Sequence, residues 1–265
     1  MPRFFVDPKQ IQGNRITITG GDVNHIRNVL RMEKGDELTL CDGQGKDYFC
    51  TILEMGTDRV YAQIENSWDS YVELGTKLYL FQGLPKGDKM DLIVTKAVEL
   101  GAYEVIPVVT ARTISRPSPE KLKKKCARWQ ALAESGAKQS GRGIIPQIVQ
   151  PMNFEEALQK ATHLSAVLMP YERAQGIEAS RELIRSLRGA DSIGIFIGPE
   201  GGFDPAEVLK AQEAGAHTIT LGRRILRTET AGLTVLSILM FELEIDEGER
   251  ISGSGDKEQG SGYLL

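Results

Sequence analysis

The chain has 265 residues, 41% of them hydrophobic, and a formal net charge of −4 at pH 7. A chain of this length can bury roughly three quarters of its unfolded surface, which indicates a globular protein of one large or two modest domains. No apolar stretch reaches the roughly 20 uncharged residues of a membrane span, and the first ten residues lack the apolar core of a signal peptide. We therefore expect a soluble, cytoplasmic protein without a membrane partner.

Cysteine spacing and charge distribution further limit the classes of protein and of partner that the sequence allows. Cys41, Cys50 and Cys126 lack the paired close spacing of a disulfide framework or a zinc site, so we expect reduced thiols and no metal. Residues 242–265 hold seven acids against two basic residues, which leaves a charge of +1 on residues 1–241. Local clusters of basic residues are therefore a better indicator of binding partners such as nucleic acids than the overall net charge is. The polar, glycine-rich end, 247–265, is predicted to be a disordered tail.

Residues 1–72 are predicted to form a small β-barrel or sandwich. Short alternating runs, "RITITG", "DELTLCD", "DYFCTILEM" and "DRVYAQIEN", are separated by Gly, Asp and Asn turn residues. One helix-like insertion, "GDVNHIRNVLRM", places Val23, Ile26, Val29 and Leu30 on one face. That face is predicted to pack on the strands.

From about residue 73 to 246 strands alternate with helices, which is typical of a parallel sheet covered on both faces. The predicted strands are "KLYLFQG", "EVIPVVT", "IIPQIV", "SAVLM", "SIGIFIG" and "HTITLG". Between them lie helix-like segments, and a final apolar helix, "GLTVLSILMFEL", follows the last strand. One helix is predicted to open at Asp204, with Pro205 at its first position and Glu207 completing a capping box, and to close at Gly215.

Three loops after strands are candidates for a ligand site, because ligands of parallel sheets collect at the carboxyl ends of the strands. They are "LMPYE" at 168–172, "GPEGGF" at 198–203 and "LGRRILRTETA" at 221–231. Neither the Gly-Lys-Ser/Thr ending of a phosphate loop nor the G-x-G-x-x-G spacing of a dinucleotide fold is present. By itself the glycine loop could be a tight turn before a helix, and the arginine loop could be an ion-paired surface loop.

Taken together, five motifs resemble one family. "HIRNVLRMEKGD", "KGDKMDLIVTKAVELGA", "KQSGR", "FIGPEGGF" and "LGRRILRTETA", in this order, are similar to the SPOUT-class family that methylates N3 of uridine 1498 (U1498) in bacterial 16S rRNA. The likeness runs from about residue 1 to 245. It implies a PUA-like barrel in 1–72, an α/β methyltransferase domain in 73–246 with a trefoil knot near 195–245, and a homodimer formed through the knot.

The resemblance also implies S-adenosyl-L-methionine as cofactor. This molecule carries no phosphate, which suits apolar walls and backbone groups better than a lysine-bearing loop. Arg227 is the candidate cation for the uracil, with Glu229 orienting it or taking the N3 proton. Glu200 is the second carboxylate candidate, and capping of its own turn is an equal alternative. The expected cofactor contacts are Leu168, Met169, Ile197, Gly198, Gly201, Leu221, Gly222, Ile225, Leu226, Thr230 and Ala231.

The expected partner is 16S rRNA, within the small ribosomal subunit. Basic residues where RNA could lie are Arg3, His25, Arg27, Arg31, Lys86, Lys89, Lys96, Arg112, Arg116, Lys138 and Arg142. His25 could equally be an ordinary surface histidine, and "KLKKKCAR" a solvated helix face. In the last helix Leu233, Leu236, Leu239 and Met240 could form a dimer interface or simply belong to the core.

Two other functions are compatible with parts of the sequence. A nucleotide or dinucleotide enzyme is disfavoured by the missing phosphate-loop lysine and glycine spacing. A non-catalytic RNA-binding protein, whose α/β domain only dimerises, is disfavoured by the presence of both cofactor-type loops. Binding of S-adenosylmethionine separates these hypotheses from the methyltransferase.

Overall fold

The computed structural model describes residues 1–114, 118–174 and 176–244, so Arg116 and the predicted tail lie outside the described residues. The described chain forms two sheets, one from strands in the first 69 residues and one from strands between 77 and 219. Among the described residues no helix is both long and apolar enough to cross a bilayer.

The first sheet has six strands in the order β1-β4-β5-β6-β3-β2. Their bounds are β1 (Arg3–Phe5), β2 (Ile11–Gln12), β3 (Arg15–Thr19), β4 (Glu37–Cys41), β5 (Lys46–Met55) and β6 (Arg59–Asp69). The pairs are antiparallel except for β1 with β4. Because side chains alternate along a strand, Ile16 and Ile18 of β3 point into the core, where Leu38 and Leu40 of β4 meet them.

The insertion between β3 and β4 differs from the predicted amphipathic helix. Helix α1 (Gly21–Asn24) passes into a π-helical turn at His25–Val29, closed by the Leu30 amide donating to the His25 carbonyl. Val23 and Ile26 are buried as expected, but Val29 and Leu30 are 62% and 40% exposed. The wider π winding rotates the last residues off the packed face, so the 3.6-residue periodicity misassigned them.

The second sheet has the order β10-β8-β7-β12-β11-β13, with β9 also pairing with β8, and every pair is parallel. The bounds are β7 (Lys77–Gly83), β8 (Ala102–Val109), β9 (Gln147–Ile148), β10 (Met152–Asn153), β11 (Ala166–Pro170), β12 (Ser192–Ile197) and β13 (His217–Ile219). Apart from Gln82, the buried side chains of the central strands β7 and β12 are apolar, and Phe81 and Phe196 stack with ring centroids 4.4 Å apart. The predicted α/β parallel sheet is confirmed.

Helices cover both faces of this sheet. Their bounds are α2 (Lys89–Glu99), α3 (Pro119–Ser140), α4 (Phe154–Ala161), α5 (Ile177–Ser186), α6 (Pro205–Glu213) and α7 (Thr228–Leu243). Buried residues of α2, α3, α5 and α7 share one core cluster, and those of α4 and α6 share the cluster on the opposite face. Leu236 and Leu239 of α7 belong to the cluster shared with α2, α3 and α5, whereas Ile238 and Phe241 are exposed.

Helix starts follow local hydrogen bonds. At α6 the Asp204 carboxylate accepts from the Ala206 amide while Glu207 accepts from the Asp204 amide, which confirms the predicted capping box. Helix α7 starts four residues before the predicted Gly232, so 228–231 form its first turn and the irregular loop ends at Arg227. Glu229 in that turn suits the positive end of the helix dipole.

Two arginines predicted to bind RNA are engaged between the two sheets instead. The Arg142 side chain is only 6% exposed; it pairs with Glu73 and donates to the carbonyls of Val98 and Ala102. Arg3 pairs with Asp47 and donates to the Gly141 carbonyl. Arg142 was predicted to contact RNA, but its guanidinium donors are used inside the protein, and those of Arg3 are committed in the same way.

The three thiols are free and buried, as the sequence indicates. Burial raises the pKa of Cys41 to about 11 and that of Cys50 to about 12, so both stay protonated at neutral pH. Such thiols are unreactive and act as small apolar side chains.

Candidate functional site

A cavity of about 490 Å³ lies at the carboxyl ends of β11, β12 and β13, a size typical of a small-molecule site. Three segments distant in sequence form its walls: the loop after β11, the glycine loop after β12, and the loop that joins β13 to α7. Its lining residues are Lys89, Pro170, Tyr171, Glu172, Ile197, Gly198, Pro199, Glu200, Gly201, Gly202, Phe203, Thr220, Leu221, Gly222, Arg224, Ile225, Leu226, Arg227, Thr228 and Ala231.

The glycine loop forms a tight turn packed against the end of β7. Gly202 has φ of 67°, which favours glycine, and its amide donates to the Pro199 carbonyl at 2.9 Å. A side chain at Gly83 would place its Cβ 2.6 Å from the Pro199 nitrogen. The lack of a side chain at Gly83 therefore lets the loop approach β7 closely enough to form one wall.

The loop from Thr220 to Arg227 forms the opposite wall. The Tyr171 amide donates to the Ile219 carbonyl, which ties the loop after β11 to the point where this wall begins. Eight of the eleven residues predicted to contact the cofactor line the cavity: Ile197, Gly198, Gly201, Leu221, Gly222, Ile225, Leu226 and Ala231. The sequence pattern therefore located both walls.

Three predicted contacts are not brought to the cavity. Leu168 and Met169 are fully buried, one in each core cluster, because β11 lies inside the sheet between β12 and β13. Thr230 is exposed on the first turn of α7. In "LMPYE" the residues that do reach the cavity are Pro170, Tyr171 and Glu172, beyond the end of the buried strand core.

An ammonium group and two carboxylates meet at the rim of the cavity. The Lys89 Nζ lies 2.8 Å from Glu200 Oε1 and 3.5 Å from Glu229 Oε2. Burial acts to raise the pKa of Glu200, but hydrogen bonds from the Lys89 side chain and the Lys86 amide outweigh it and lower that pKa. The same contact with Glu200 raises the pKa of Lys89. Glu200 and Lys89 therefore both stay charged at neutral pH.

The two carboxylates differ in how their oxygens are used. Glu200 accepts from the Lys86 amide and from Lys89, which fastens the glycine loop to the loop after β7. Glu229 Oε2 is buried and accepts no hydrogen bond from the described residues. Glu200 is therefore committed to holding the loop, whereas Glu229 has only Lys89 close to its buried Oε2 and is not one of the residues that line the cavity.

Arg227 stands at the start of α7 and lines the cavity. It is exposed, and within the described ranges no acceptor pairs with its guanidinium. A free guanidinium beside a cavity, next to the positive end of a helix dipole, favours a ligand that is or becomes anionic.

The other predicted RNA contacts divide into free and engaged groups. Lys96 pairs with Glu99 in its own helix, Lys138 pairs with Asp22, and Arg27 donates to the Thr57 carbonyl. Arg112 holds the Gly201 carbonyl and Asp204, which makes it a support of the glycine loop. Exposed side chains of Arg31 and Lys86 stand free among the described residues, while the exposed His25 makes an edge contact with Phe4.

Sequence reasoning missed several residues of the site. Lys89 was assigned to RNA because it belongs to a run of basic residues, and no local pattern links it to carboxylates 111 and 140 positions away. Thr228 was assigned to a loop rather than to a helix start. The residues Thr228 and Glu229 themselves are a signal for a helix start at this point, because threonine and glutamate are common at the beginning of helices.

Comparison with known proteins gives consistent matches along the chain. Residues 72–240 match the family model described as an RNA methyltransferase domain, and residues 18–65 match an RNA methyltransferase PUA domain. Ribosomal RNA small subunit methyltransferase E of Bacillus subtilis is 36% identical over 94% of this chain and 100% of its own length. The protein of that name from Mesomycoplasma hyopneumoniae is 32% identical, with 89% and 98% covered.

A solved structure agrees with these relatives. The ribosomal RNA small subunit methyltransferase E of Neisseria gonorrhoeae, bound to S-adenosyl methionine, superposes with a TM-score of 0.76 at 31% identity and covers 91% of this chain and 97% of that one. Another crystal structure, described as a hypothetical protein, superposes with a TM-score of 0.81 at 36% identity. In the described part of this chain no group of side chains has the composition of a metal site.

Proposed function

Since this chain belongs to the RNA methyltransferase family, with the ribosomal RNA small subunit methyltransferase E proteins among its relatives, we propose that it methylates N3 of U1498 in 16S rRNA. The methyl donor is S-adenosyl-L-methionine and the substrate is the assembled small ribosomal subunit in the cytoplasm. The observation that carries the proposal is that loops at 198–203 and 220–227 line one cavity with Lys89, Glu200 and Arg227 at its rim.

The cavity fits this cofactor by size and by chemistry. Apolar side chains of Ile197, Leu221 and Leu226 offer walls for an adenine ring, and the glycine loop offers backbone groups to its edge. Glu172 also lines the cavity, and its carboxylate complements a sulfonium or an ammonium group. When bound, the cofactor supplies an electrophilic methyl group.

The residues of the chain have to position uracil and remove its N3 proton. As the N3–C bond forms, the bond from sulfur to the methyl carbon breaks and its electron pair stays on sulfur. Arg227 stabilises negative charge on the uracil oxygens, which favours loss of the proton. The candidate acceptor of that proton is Glu229, whose Oε2 accepts no hydrogen bond from the described residues, whereas the Glu200 carboxylate already accepts from Lys86 and Lys89.

Replacing Glu229 with glutamine is expected to lower kcat about 100-fold, the usual contribution of a general base, with little change in cofactor affinity. Glu200→Gln removes a loop contact instead, so we expect it to weaken cofactor binding more than kcat. Single-turnover rates and calorimetry with both variants separate the two effects. A Glu229→Gln enzyme with full turnover would remove Glu229 from the role of base.

In this proposal the two parts of the chain have different functions, RNA binding and methyl transfer. Residues 1–72 bind RNA through the exposed basic surface around Arg31, and residues 73–246 carry out methyl transfer. Lys86, at the edge of the site, is free to contact a phosphate close to the reacting nucleotide. Contacts of this kind add affinity and salt dependence without reading sequence.

We also propose the trefoil knot near 195–245 and a homodimer, both typical of the SPOUT class. The knot is supported by the return of the chain from β13, at the sheet edge, to α7 beneath the central strands, where Thr228 contacts Gly198. The dimer is supported by the exposure of Phe241 and Ile238 on α7, which are 84% and 39% exposed.

Mass-spectrometric mapping of 16S rRNA tests the proposed function. In a strain that lacks this protein we expect one unmethylated uridine, U1498, and restoration of the methyl group by the wild-type gene. The Arg227→Ala gene is expected to fail in restoration. Methylation of U1498 that persists in the deletion strain, or a missing methyl group at another nucleotide, contradicts the proposed substrate.

A further inference from the structure

A primary amide interrupts the apolar face of the central strand β7. Leu78, Leu80 and Gln82 alternate along one face, and both leucines belong to the core shared with α7. Gln82 is 0% exposed. A leucine would continue the apolar stripe, and an amide buried there is unfavourable unless it is hydrogen-bonded. Packing alone therefore does not explain why an amide, and not an apolar side chain, occupies position 82.

The amide begins a chain of hydrogen bonds that ends in the wall of the cavity. Gln82 Nε2 donates to Thr228 Oγ1 at 2.9 Å, and Thr228 Oγ1 donates to the Gly198 carbonyl at 2.6 Å. Thr228 is the first residue of α7, and Gly198 is the first residue after β12. Both line the cavity. The chain thus joins the core, the last helix and the glycine loop.

The direction of these bonds is fixed by chemistry. Gln82 Nε2 also donates to the Gly83 carbonyl at 3.0 Å, and a carbonyl only accepts, so the nitrogen of the amide must face Gly83 and Thr228. Because the Thr228 hydroxyl has one proton and receives a bond from Gln82, its proton goes to Gly198. Gln82 Oε1 is left buried without a donor among the described residues.

We propose that Gln82 is a positioning residue that holds Gly198 in place through Thr228 and thereby sets the affinity of the cavity for the cofactor. This inference rests on the proposed methyltransferase function. An unsatisfied amide oxygen is tolerated because the nitrogen of the same amide orders the loop where the cofactor binds. The effect is on the binding of the cofactor and not on the reacting atoms.

The test uses near-isosteric variants of the full-length protein. Gln82→Leu and Thr228→Val each remove one bond of the chain, and Thr228→Ser retains the hydroxyl. We expect each removal to raise the dissociation constant for S-adenosylmethionine about tenfold in calorimetry, the loss expected for one hydrogen bond. Thr228→Ser retains most of the affinity. The KM for the cofactor rises while kcat at saturation changes little.

The double variant gives the sharpest signature. Because the bonds act in series, Gln82→Leu combined with Thr228→Val weakens binding about as much as either change alone, whereas independent sites would multiply their losses. Glu104→Gln is the matched control. Glu104 lies near the start of β8, away from the cavity, and its carboxylate pairs with the half-exposed Lys160, so we expect this change to lower the melting temperature without changing the dissociation constant.

The outcomes separate this inference from the function on which it rests. Wild-type affinity in both single variants, or losses that multiply in the double variant, overturns the positioning role alone. Absence of binding by the wild-type protein overturns the proposed function together with the role of Gln82.

Discussion

Arg227→Ala is expected to lower kcat for methyl transfer about 100- to 1,000-fold, the loss typical of removing one preorganised donor from developing negative charge. The reason is geometric: Arg227 lines the cavity and none of its donors is used by another described residue. The uracil anion that attacks the methyl group carries its charge on the oxygens beside N3. Loss of the guanidinium therefore destabilises the transition state more than the bound cofactor.

The measurement is single-turnover methylation of small ribosomal subunits, with cofactor affinity determined separately by calorimetry. Arg223→Ala is the matched control, because Arg223 is exposed on the same loop but does not line the cavity. We expect the control to stay within about twofold of the wild-type kcat, as an exposed charge outside the site contributes little. Equal losses in both variants would mean that the loop binds RNA only through its net charge.

The second large effect concerns stability. Arg142→Met is expected to lower the free energy of unfolding by about 3–5 kcal/mol, the usual result of breaking a buried ion pair by removing one partner. The Glu73 carboxylate would lose the guanidinium, and the carbonyls of Val98 and Ala102 would lose their donors. Methionine keeps most of the volume, so the loss reports the charge and the hydrogen bonds.

Urea unfolding followed by circular dichroism measures this loss. Arg59→Met is the control, since Arg59 forms an exposed pair with its neighbour Asp58 and such pairs contribute about 0–1 kcal/mol. If the Arg142 variant keeps wild-type stability but binds ribosomal subunits more weakly, the original assignment of Arg142 to RNA would be restored. The buried geometry argues for the opposite result.

Sequence reasoning identified the loops that line the cavity, because that signal is local. The two loops at 198–203 and 221–227 follow directly from strands, and ligands collect where parallel strands end. It failed where a residue's burial depends on distant partners. In the sequence Leu168 and Met169 begin a motif that was expected to form a loop. In the structure both are buried inside the sheet, because strand β13 pairs with β11 and covers its edge.

Charge alone could not sort the basic residues. Arg142, Arg112 and Lys89 are all cations in the sequence, yet one lies between the two sheets, one supports the glycine loop and one holds two carboxylates at the rim. Their partners are 40 to 140 positions away in the chain. Arg227, by contrast, has no side-chain partner among the described residues and remains a candidate for the role that the sequence suggested.

The sequence by itself determined the alternation of strands and helices, the capping box at Asp204 and the location of the glycine loop, because these depend on residues within a few positions of one another. The family resemblance added the methyltransferase assignment, which the comparisons bear out. Only the tertiary structure decided that Glu200 fastens the glycine loop, that Arg142 is buried, and that Gln82 reaches Gly198 through Thr228. Those contacts depend on how the sheet brings distant segments together, and no short-range pattern records them.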